Sequence, residues 1–208
     1  SHSEDNMLFE DTYLTVEAAA EGIYKDRGSK FIGMVFPVKT EAEVKEIVAR
    51  LKKEHHGANH HCYAFRLGAD KQAYRVNDDG EPSGTAGKPI YGQILSKDLT
   101  NVLIVVVRYF GGTLLGVSGL IEAYKGAAMA ALANARIVEQ KVMETYELTF
   151  SYEKMNAVMK IIKDRKLENR DQDFAEECRL KFSVRKNDAE LLIDQFTKLG
   201  VGIKNIPH

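Results

Sequence analysis

The sequence has few cysteines, no long apolar run and no excess of either charge. Its two cysteines, Cys62 and Cys178, are too few for a disulfide scaffold, which favours a reducing compartment and hence the cytoplasm. No apolar run approaches the ~18 residues that a membrane-spanning helix needs, so no membrane association is expected. Residues 1–10 begin with acidic residues and lack the apolar stretch of a secretory signal.

The charge balance excludes one general binding mechanism. The chain has 29 Lys and Arg residues against 30 Asp and Glu residues, and residues 139–208 carry 13 of each. Proteins that bind nucleic acid mainly by neutralising phosphates carry an evident basic excess. A nucleic-acid site in this chain would therefore be a local patch.

Residues 12–137 are predicted to form a β-sheet backed by helices, after a disordered or tag-derived tail at residues 1–11. Thr40 and Glu43 form a capping box at the start of one helix, and Ser118 is the expected cap of another. Strands are predicted at 22–26, 31–38, 61–67 and 102–107, and helices at 40–57, 89–95 and 118–135.

In residues 138–208 the pattern of a strand followed by a helix occurs twice, which predicts a second domain. The order βαββαβ is the ferredoxin-like arrangement, so we expect a two-domain α+β protein. Asn187 and Glu190 suggest a capping box, and Gly200 suggests the end of that helix. The predicted strands are 142–150, 167–175, 178–184 and 202–206.

A loop at 77–89 is the most informative segment. Its backbone N–H groups from Gly84 to Lys88, ahead of a short helix, could hold an anion. Its carboxylates could instead bind a cation or a basic partner, or its Asp and Ser side chains could simply satisfy their own backbone. The candidate binding residues are Asn77, Asp78, Asp79, Glu81, Ser83, Gly84, Thr85, Gly87 and Lys88.

A second glycine-rich segment, 108–112, follows the apolar strand at 102–107. Arg108 lies at the end of that strand, where a buried guanidinium requires a partner. That partner is either a ligand or one of the carboxylates Asp78, Asp79 and Glu81, which would lock the two loops together. The candidate binding residues here are Arg108, Tyr109, Gly111 and Gly112.

Neither a metal site nor a catalytic residue is expected. Four histidines lie with Cys62 in the segment 55–62, but their spacing spreads them over a helix end and two faces of a strand. Cys62 lies in an apolar strand that is typical of a packed thiol. Ser83 lacks the glycines of a nucleophile elbow. No cofactor is expected either.

The second domain offers two weaker candidates for RNA contact. One is a basic run that is mixed with acidic residues, comprising Lys160, Lys163, Arg165, Lys166 and Arg170. The other is a set of aromatic residues that could form a stacking platform on the sheet or could lie in the core. These are Phe150, Tyr152, Phe174 and Phe182.

Together these segments resemble the IMPACT/YigZ family, in its bacterial YigZ-like branch. The matching motifs cover most of residues 20–130 and are His60-His61-Cys62-Tyr63-Ala64, 77–89, 105–115, Gly119-Leu120-Ile121 and Ala123-Tyr124. The resemblance implies that the first domain is similar to the second domain of a small-subunit ribosomal protein. It also implies that the second domain is similar to the last domain of elongation factor G, and that the protein associates with RNA, ribosomes or translation factors.

We therefore expect a non-enzymatic binding protein linked to translation, which contacts RNA, the ribosome or a translation factor through the loops 77–89 and 108–112. One alternative is an enzyme or small-molecule binder that holds a phosphate-bearing ligand in the same loops. Another is a protein–protein module with a basic partner. Replacing Arg108 and Lys88 by alanine is expected to weaken binding with little loss of thermal stability. The oligomeric state is not predicted.

Overall fold

The computed structural model describes residues 11–207, which divide into two compact units. The first unit comprises residues 13–140, and the second comprises residues 11–12 together with 141–207. Both units combine strands with helices, which confirms the predicted two-domain α+β class. Residues 1–10 of the tail expected at 1–11 lie outside the described residues, whereas Asp11, its last residue, is only 1% exposed.

The first unit is built around a five-stranded antiparallel sheet. Its strands lie in the order β2-β3-β6-β4-β5, and β1 pairs with β7 in a separate two-stranded sheet. The elements are β1 (Thr12–Val16), β2 (Ala20–Asp26), β3 (Ser29–Pro37), α1 (Glu41–Glu54), β4 (His60–Leu67), β5 (Ala73–Asn77), α2 (Gly87–Ser96), β6 (Val102–Tyr109), α3 (Gly116–Ala133) and β7 (Ile137–Lys141).

The central strand β6 is apolar because helices cover both faces of the sheet. Its residues 102–107 are fully buried. Ile104 and its alternate neighbours pack in the core shared with α2 and α3, while Val105 and its alternate neighbours pack in the core shared with α1. This confirms the predicted strand buried on both faces, and it places Arg108 at the end of an interior strand.

Local sequence signals explain two features of this unit. Arg27 and Gly28 have φ values of 45° and 84°, and this two-residue turn matches the twist of the hairpin strands β2 and β3. The side chain of Thr40 accepts the Glu43 N–H at 3.2 Å, which confirms the predicted cap of α1.

The second unit has the ferredoxin-like order βαββαβ. Its antiparallel sheet has the strand order β11-β8-β10-β9, and α4 and α5 bury their apolar residues against one face. The elements are β8 (Met143–Phe150), a 3₁₀ turn (Tyr152–Lys154), α4 (Met155–Asp164), β9 (Glu168–Asp173), β10 (Cys178–Arg185), α5 (Lys186–Lys198) and β11 (Gly202–Ile206).

Two predicted helix caps are wrong. Ser118 lies inside α3, which begins two residues earlier at Gly116. The expected capping box at Asn187 and Glu190 does not form, because α5 begins at Lys186 without a side-chain cap from its own first turn. The carboxylate of Asp11 accepts the backbone N–H of Asn187 instead, at 3.3 Å.

The aromatic residues of the second unit do not form a platform on the open face of its sheet. Phe150 and Phe182 are buried in the core, and Phe174 packs against that core. Tyr152 is 62% exposed, but it lies in the 3₁₀ turn and not on the sheet. Among residues 11–207, no helix combines the length and the apolar character needed to cross a membrane.

Candidate functional site

A buried ion pair joins the two glycine-rich loops. Arg108 Nη1 donates to both carboxylate oxygens of Glu81, at 2.8 and 3.1 Å, and each side chain is less than 10% exposed. Of the three carboxylates considered as partners for Arg108, the fold thus selects Glu81. This burial contradicts the expectation that Arg108 can be replaced with little loss of stability. Removing one member of a buried ion pair leaves the other charge buried without a partner, which lowers stability.

The carboxylate of Glu81 has two further partners. The hydroxyl of Tyr124, from α3, donates to Glu81 Oε2 at 2.5 Å. His60 Nε2, from β4, lies 3.3 Å from Glu81 Oε1, and His60 Nδ1 lies 2.8 Å from the carbonyl oxygen of Asp79. One carboxylate therefore connects the loop 77–89 to the strands β4 and β6 and to the helix α3.

The guanidinium of Arg108 lies between two aromatic rings. Its Cζ is 5.3 Å from the ring centre of Phe31 and 5.5 Å from that of Phe110, both within the range of cation–π attraction. Ser29 Oγ lies 3.5 Å from Arg108 Nη2, whereas the buried Nε has no hydrogen-bond partner among the described residues. Phe110 is 45% exposed and forms the outer side of this arrangement.

Asp78 occupies the anion-binding end of α2. Its carboxylate accepts the backbone N–H groups of Gly84, Ala86 and Gly87, at 3.0, 3.2 and 2.8 Å. These are three of the backbone donors between Gly84 and Lys88 that the sequence offered for a bound anion. Because an internal carboxylate already satisfies them, the segment binds its own chain.

Three further polar side chains of the loop 77–89, those of Asn77, Asp79 and Thr85, also form hydrogen bonds within the fold. Asp79 accepts the backbone N–H of His61 at 2.7 Å, and its own N–H donates to the side chain of Asn77 at 2.7 Å. Thr85 donates through its hydroxyl to the carbonyl of Pro82 at 2.5 Å. These bonds fix the path of the loop and leave Ser83 and Lys88 exposed.

The second loop is held by close backbone packing. A Cβ atom added to Gly111 would lie 2.1 Å from the carbonyl carbon of Gly28, so the two backbones are in direct contact there. The N–H of Gly111 also donates to Ser29 Oγ at 3.1 Å. Gly112 has a positive φ of 88° and open space around it, so it serves the turn itself.

Cys62 is a packed thiol beside this cluster. Its Sγ donates to the carbonyl of Asp78 at 3.1 Å, and burial raises the pKa of the Cys62 thiol far above its ordinary value. Burial, followed by the neighbouring Cys62 and Glu81, likewise raises the pKa of Tyr124. Both groups therefore remain protonated at neutral pH, and neither is an activated nucleophile.

The histidines of the segment 55–62 point to different partners. His55 Nδ1 lies 2.7 Å from the hydroxyl of Tyr109, and His61 Nε2 lies 2.9 Å from the carbonyl of His55. His60 contacts Glu81 as described above. Across residues 11–207, no group of three or more His, Cys, Asp and Glu side chains is placed to hold a metal ion.

The candidate residues therefore separate into scaffold and surface. Glu81, Thr85, Gly87 and Arg108 are buried, and Asn77, Asp78, Asp79, Gly84 and Tyr109 are half-buried. Exposed candidates are Ser83, Lys88, Gly111 and Gly112. The sequence assigned no binding role to five residues that contact the ion pair, which are Ser29, Phe31, His60, Phe110 and Tyr124. Three of them, His60, Phe110 and Tyr124, lie in the family motifs, which do not indicate this contact.

The fold and the site define a two-domain α+β protein in which a buried arginine–glutamate pair joins two loops of the first domain. Residues 27–132 match the family model described as "Impact N-terminal domain". The chain belongs to the IMPACT family.

Similar proteins span most of the chain. IMPACT family member YvyE of Bacillus subtilis is 31% identical over 195 residues, covering 94% of this chain and 90% of its own length. IMPACT family member YigZ of Escherichia coli is 34% identical over 150 residues, covering 71% and 74%. A crystal structure described as that of an hypothetical protein is 28% identical with a TM-score of 0.73, covering 95% and 98%. The two-domain translational regulator Yih1 matches with 27% identity over 57% of this chain and 48% of its own, and its TM-score of 0.39 is too low to support an argument.

Proposed function

We propose that this chain is a cytoplasmic, non-enzymatic binding protein of the translation apparatus, which docks a protein partner on its two glycine-rich loops. Membership of the IMPACT family supports the link to translation, which the resemblance of the sequence to that family implies. The two unpaired, buried cysteines are in keeping with a reducing compartment. We call the exposed side chains of the two loops and of the segment that leads into the start of α3 the loop surface, comprising Ser83, Lys88, Phe110, Leu114 and Val117.

The observation that carries this proposal is a set of exposed apolar side chains that follow the rigid Arg108 anchor closely in sequence. Phe110 stacks on Arg108 and is 45% exposed, while Leu114 and Val117 are 83% and 59% exposed. Leu115 between them is buried in the core and fixes the position of the segment. Exposed apolar side chains held on a rigid frame favour protein contacts, since little conformational freedom is lost on binding.

The charges of the loop surface favour a protein partner over a phosphate-bearing one. Arg108 is neutralised by Glu81, and the N–H groups of Gly84, Ala86 and Gly87 are taken by Asp78. Lys88 is then the one exposed cation among the thirteen candidate residues of the two loops. A surface that recognises RNA or a nucleotide relies on several free cations or free N–H donors.

A non-enzymatic role is in keeping with the chemistry of the buried groups. Burial keeps Cys62 and Tyr124 protonated, because it raises the pKa of each. The Glu81 carboxylate is enclosed by Arg108, Tyr124 and His60, so it does not face solvent where a substrate would bind.

Co-sedimentation with purified ribosomes tests this proposal. Leu114→Asp should reduce the amount of protein that pellets with ribosomes about tenfold, because a charge replaces the most exposed apolar side chain of the loop surface. Met129→Asp is the matched control, since Met129 is also exposed, at 49%, and lies further along α3. It should pellet as the unmodified protein does.

The salt dependence separates a protein partner from RNA. Binding through apolar protein contacts should persist when the salt concentration is raised severalfold, whereas binding to RNA phosphates falls steeply. Loss of the unmodified protein from the pellet at moderate salt would point to RNA. Equal pelleting of the Leu114→Asp and Met129→Asp variants would rule out the loop surface as the docking site.

A further inference from the structure

The strand β5 is an edge of the five-stranded sheet. It pairs with β4 on one side, and no other described strand pairs with it on the other side. A strand with one free side presents alternate backbone N–H and C=O groups to any extended segment that reaches it. The loop 77–89 begins where β5 ends, at Asn77, but none of the side chains that define the loop surface belongs to β5, so the two surfaces share no residue.

The side chains of β5 face two different environments. Tyr74 is 61% exposed and stacks on Tyr91 of α2, with ring centres 5.0 Å apart. Val76 lies on the same face and is 38% exposed. Arg75 points to the opposite face, where its Cζ lies 5.7 Å from the ring centre of Phe65. An added strand would therefore contact apolar rings on one face and a basic side chain on the other.

A groove accompanies the edge on the Arg75 face, between α1 and the sheet. Its floor is apolar and is formed by Val44, Val48, Tyr63 and Phe65. Its volume of about 220 Å³ is below the ~300–1,000 Å³ of small-molecule sites. The groove has the size to take one or two side chains of a peptide.

The rim of the groove carries an excess of positive charge. Lys45, Lys52 and Arg75 line it together with a single carboxylate, Glu41, which lies 3.7 Å from Arg75. Both side chains of that pair are about half-exposed, so the pair contributes little to stability. The two lysines are seven residues apart on α1, which is about 10 Å. Residues i and i+4 of an extended peptide lie about 13 Å apart on one face. Two carboxylates at that spacing therefore match the separation of the two lysines.

We propose that β5 and this groove bind an extended segment of a partner protein, in which an apolar residue is flanked two positions away on each side by carboxylates. The segment adds a sixth strand to the sheet. Its apolar side chain enters the groove, its two carboxylates meet the Lys45 and Lys52 ends of the rim, and its intervening side chains pack on Tyr74 and Val76. A second copy of this chain fits the edge poorly, because antiparallel pairing centred on Arg75 places two guanidinium groups opposite each other.

The test uses labelled synthetic peptides and fluorescence anisotropy. The probe is a capped peptide with the core Glu-Thr-Ile-Thr-Glu, whose threonines favour the extended conformation. We expect saturable binding with a Kd on the order of 10–100 µM, because a short flexible peptide loses conformational entropy when it binds. Replacing the isoleucine by alanine should weaken binding about tenfold, because the groove is then unfilled.

Two further peptides test the mode of binding. A version with N-methyl groups on the amides of one backbone edge cannot form the strand pairing and should not bind. A version with lysine in place of glutamate should bind at least about tenfold more weakly, because it repels the rim. Equal binding of the N-methylated or the lysine peptide would overturn the proposal.

A matched pair of protein variants tests whether the peptide binds in this groove. Ala49 is exposed and lines the groove, whereas Ala42 is exposed on the same helix and does not line it. Ala49→Glu should weaken binding about tenfold and Ala42→Glu should leave the Kd unchanged, with the same thermal midpoint for both. Equal effects of the two variants would contradict the proposal. So would a dimer in sedimentation that Ala49→Glu dissociates, because a second copy would then occupy the edge.

Discussion

Arg108 Nη1 and Glu81 Oε2 lie 2.8 Å apart, with both side chains almost completely removed from solvent. Each charge compensates the cost of burying the other, and Tyr124 adds a hydrogen bond to the same carboxylate. The pair therefore fixes the two loops in one arrangement, in contrast to the exposed ion pairs elsewhere in the chain.

Breaking this pair should be costly. Glu81→Ala leaves a buried guanidinium without its partner and should lower the free energy of unfolding by about 3–5 kcal/mol. Urea denaturation at neutral pH measures the change. Arg136→Ala, which removes an exposed pair with Glu17, should change it by less than about 1 kcal/mol. The double variant Glu81→Leu/Arg108→Met should recover much of the loss, and equal effects of Glu81→Ala and Arg136→Ala would contradict this account.

Two glycines should respond in opposite directions to the same substitution. Gly111→Ala places a Cβ atom 2.1 Å from the Gly28 backbone, so it should destabilise the protein by about 1–3 kcal/mol. Gly92→Ala meets nothing within 4 Å and lies inside α2, where it should stabilise by about 0.5–1 kcal/mol. Thermal unfolding of the two variants gives the comparison, and a neutral Gly111→Ala would show that the loop shifts freely.

The native thiols should be inert. Both cysteines are buried, and burial raises the pKa of Cys62 so that its thiolate is scarce. A thiol reagent such as Ellman's reagent should modify neither thiol of the folded protein within minutes at mildly alkaline pH, and both after denaturation. Ser83→Cys, at an exposed position of the loop surface, should react at once. Rapid reaction of the unmodified protein would disprove the packing described for Cys62.

Asp98 should contribute to stability only above acidic pH. A hydrogen bond from Lys71, with further help from Arg66, lowers the pKa of Asp98 below its usual 3.8. Because the folded-state pKa is the lower one, the contribution is present above the unfolded-state pKa and is lost as the pH falls through the folded-state pKa.

Asp98→Asn should therefore lower the free energy of unfolding more at neutral pH than at the lowest pH at which the protein stays folded, because protonation of the carboxylate removes the effect. The side chain is 63% exposed, so the neutral-pH effect should stay below about 1 kcal/mol. Urea denaturation at the two pH values measures the difference. An equal loss at both would show that charge is not its source.

Elements with local determinants were predictable from the sequence. The Thr40 side chain caps α1 through a residue three positions away, and Gly200 ends α5 with a positive φ of 78°. The run 102–107 needed only its own composition to indicate a buried strand. In each case the deciding interaction lies within a few residues, or within the strand itself.

Elements that depend on distant partners were missed. Strand β5 is exposed along most of its length and is defined by its pairing with β4, while β1 is defined by its pairing with β7. The cap of α5 comes from Asp11, a residue 176 positions earlier that the sequence assigned to a tail. Such partners follow from the fold and have no local signature.

The candidate site was predictable as a place but not as a set of contacts. The glycines of the two loops and the arginine at the end of β6 predicted that the loops lie together. Nothing in the local sequence distinguished Glu81 from Asp78 as the partner of Arg108. That choice depends on how the loop turns, since Asp78 is directed to the start of α2. The role of Tyr124 was equally hidden, because it depends on how α3 packs against the sheet.

Asp78 gives the first loop a permanent counter-ion that belongs to the chain itself. A phosphate taken from solution would leave again when its concentration fell, whereas this carboxylate is tethered nine residues from the Gly87 N–H that it accepts. The shape of the loop at this helix end therefore does not depend on an anion taken from solution.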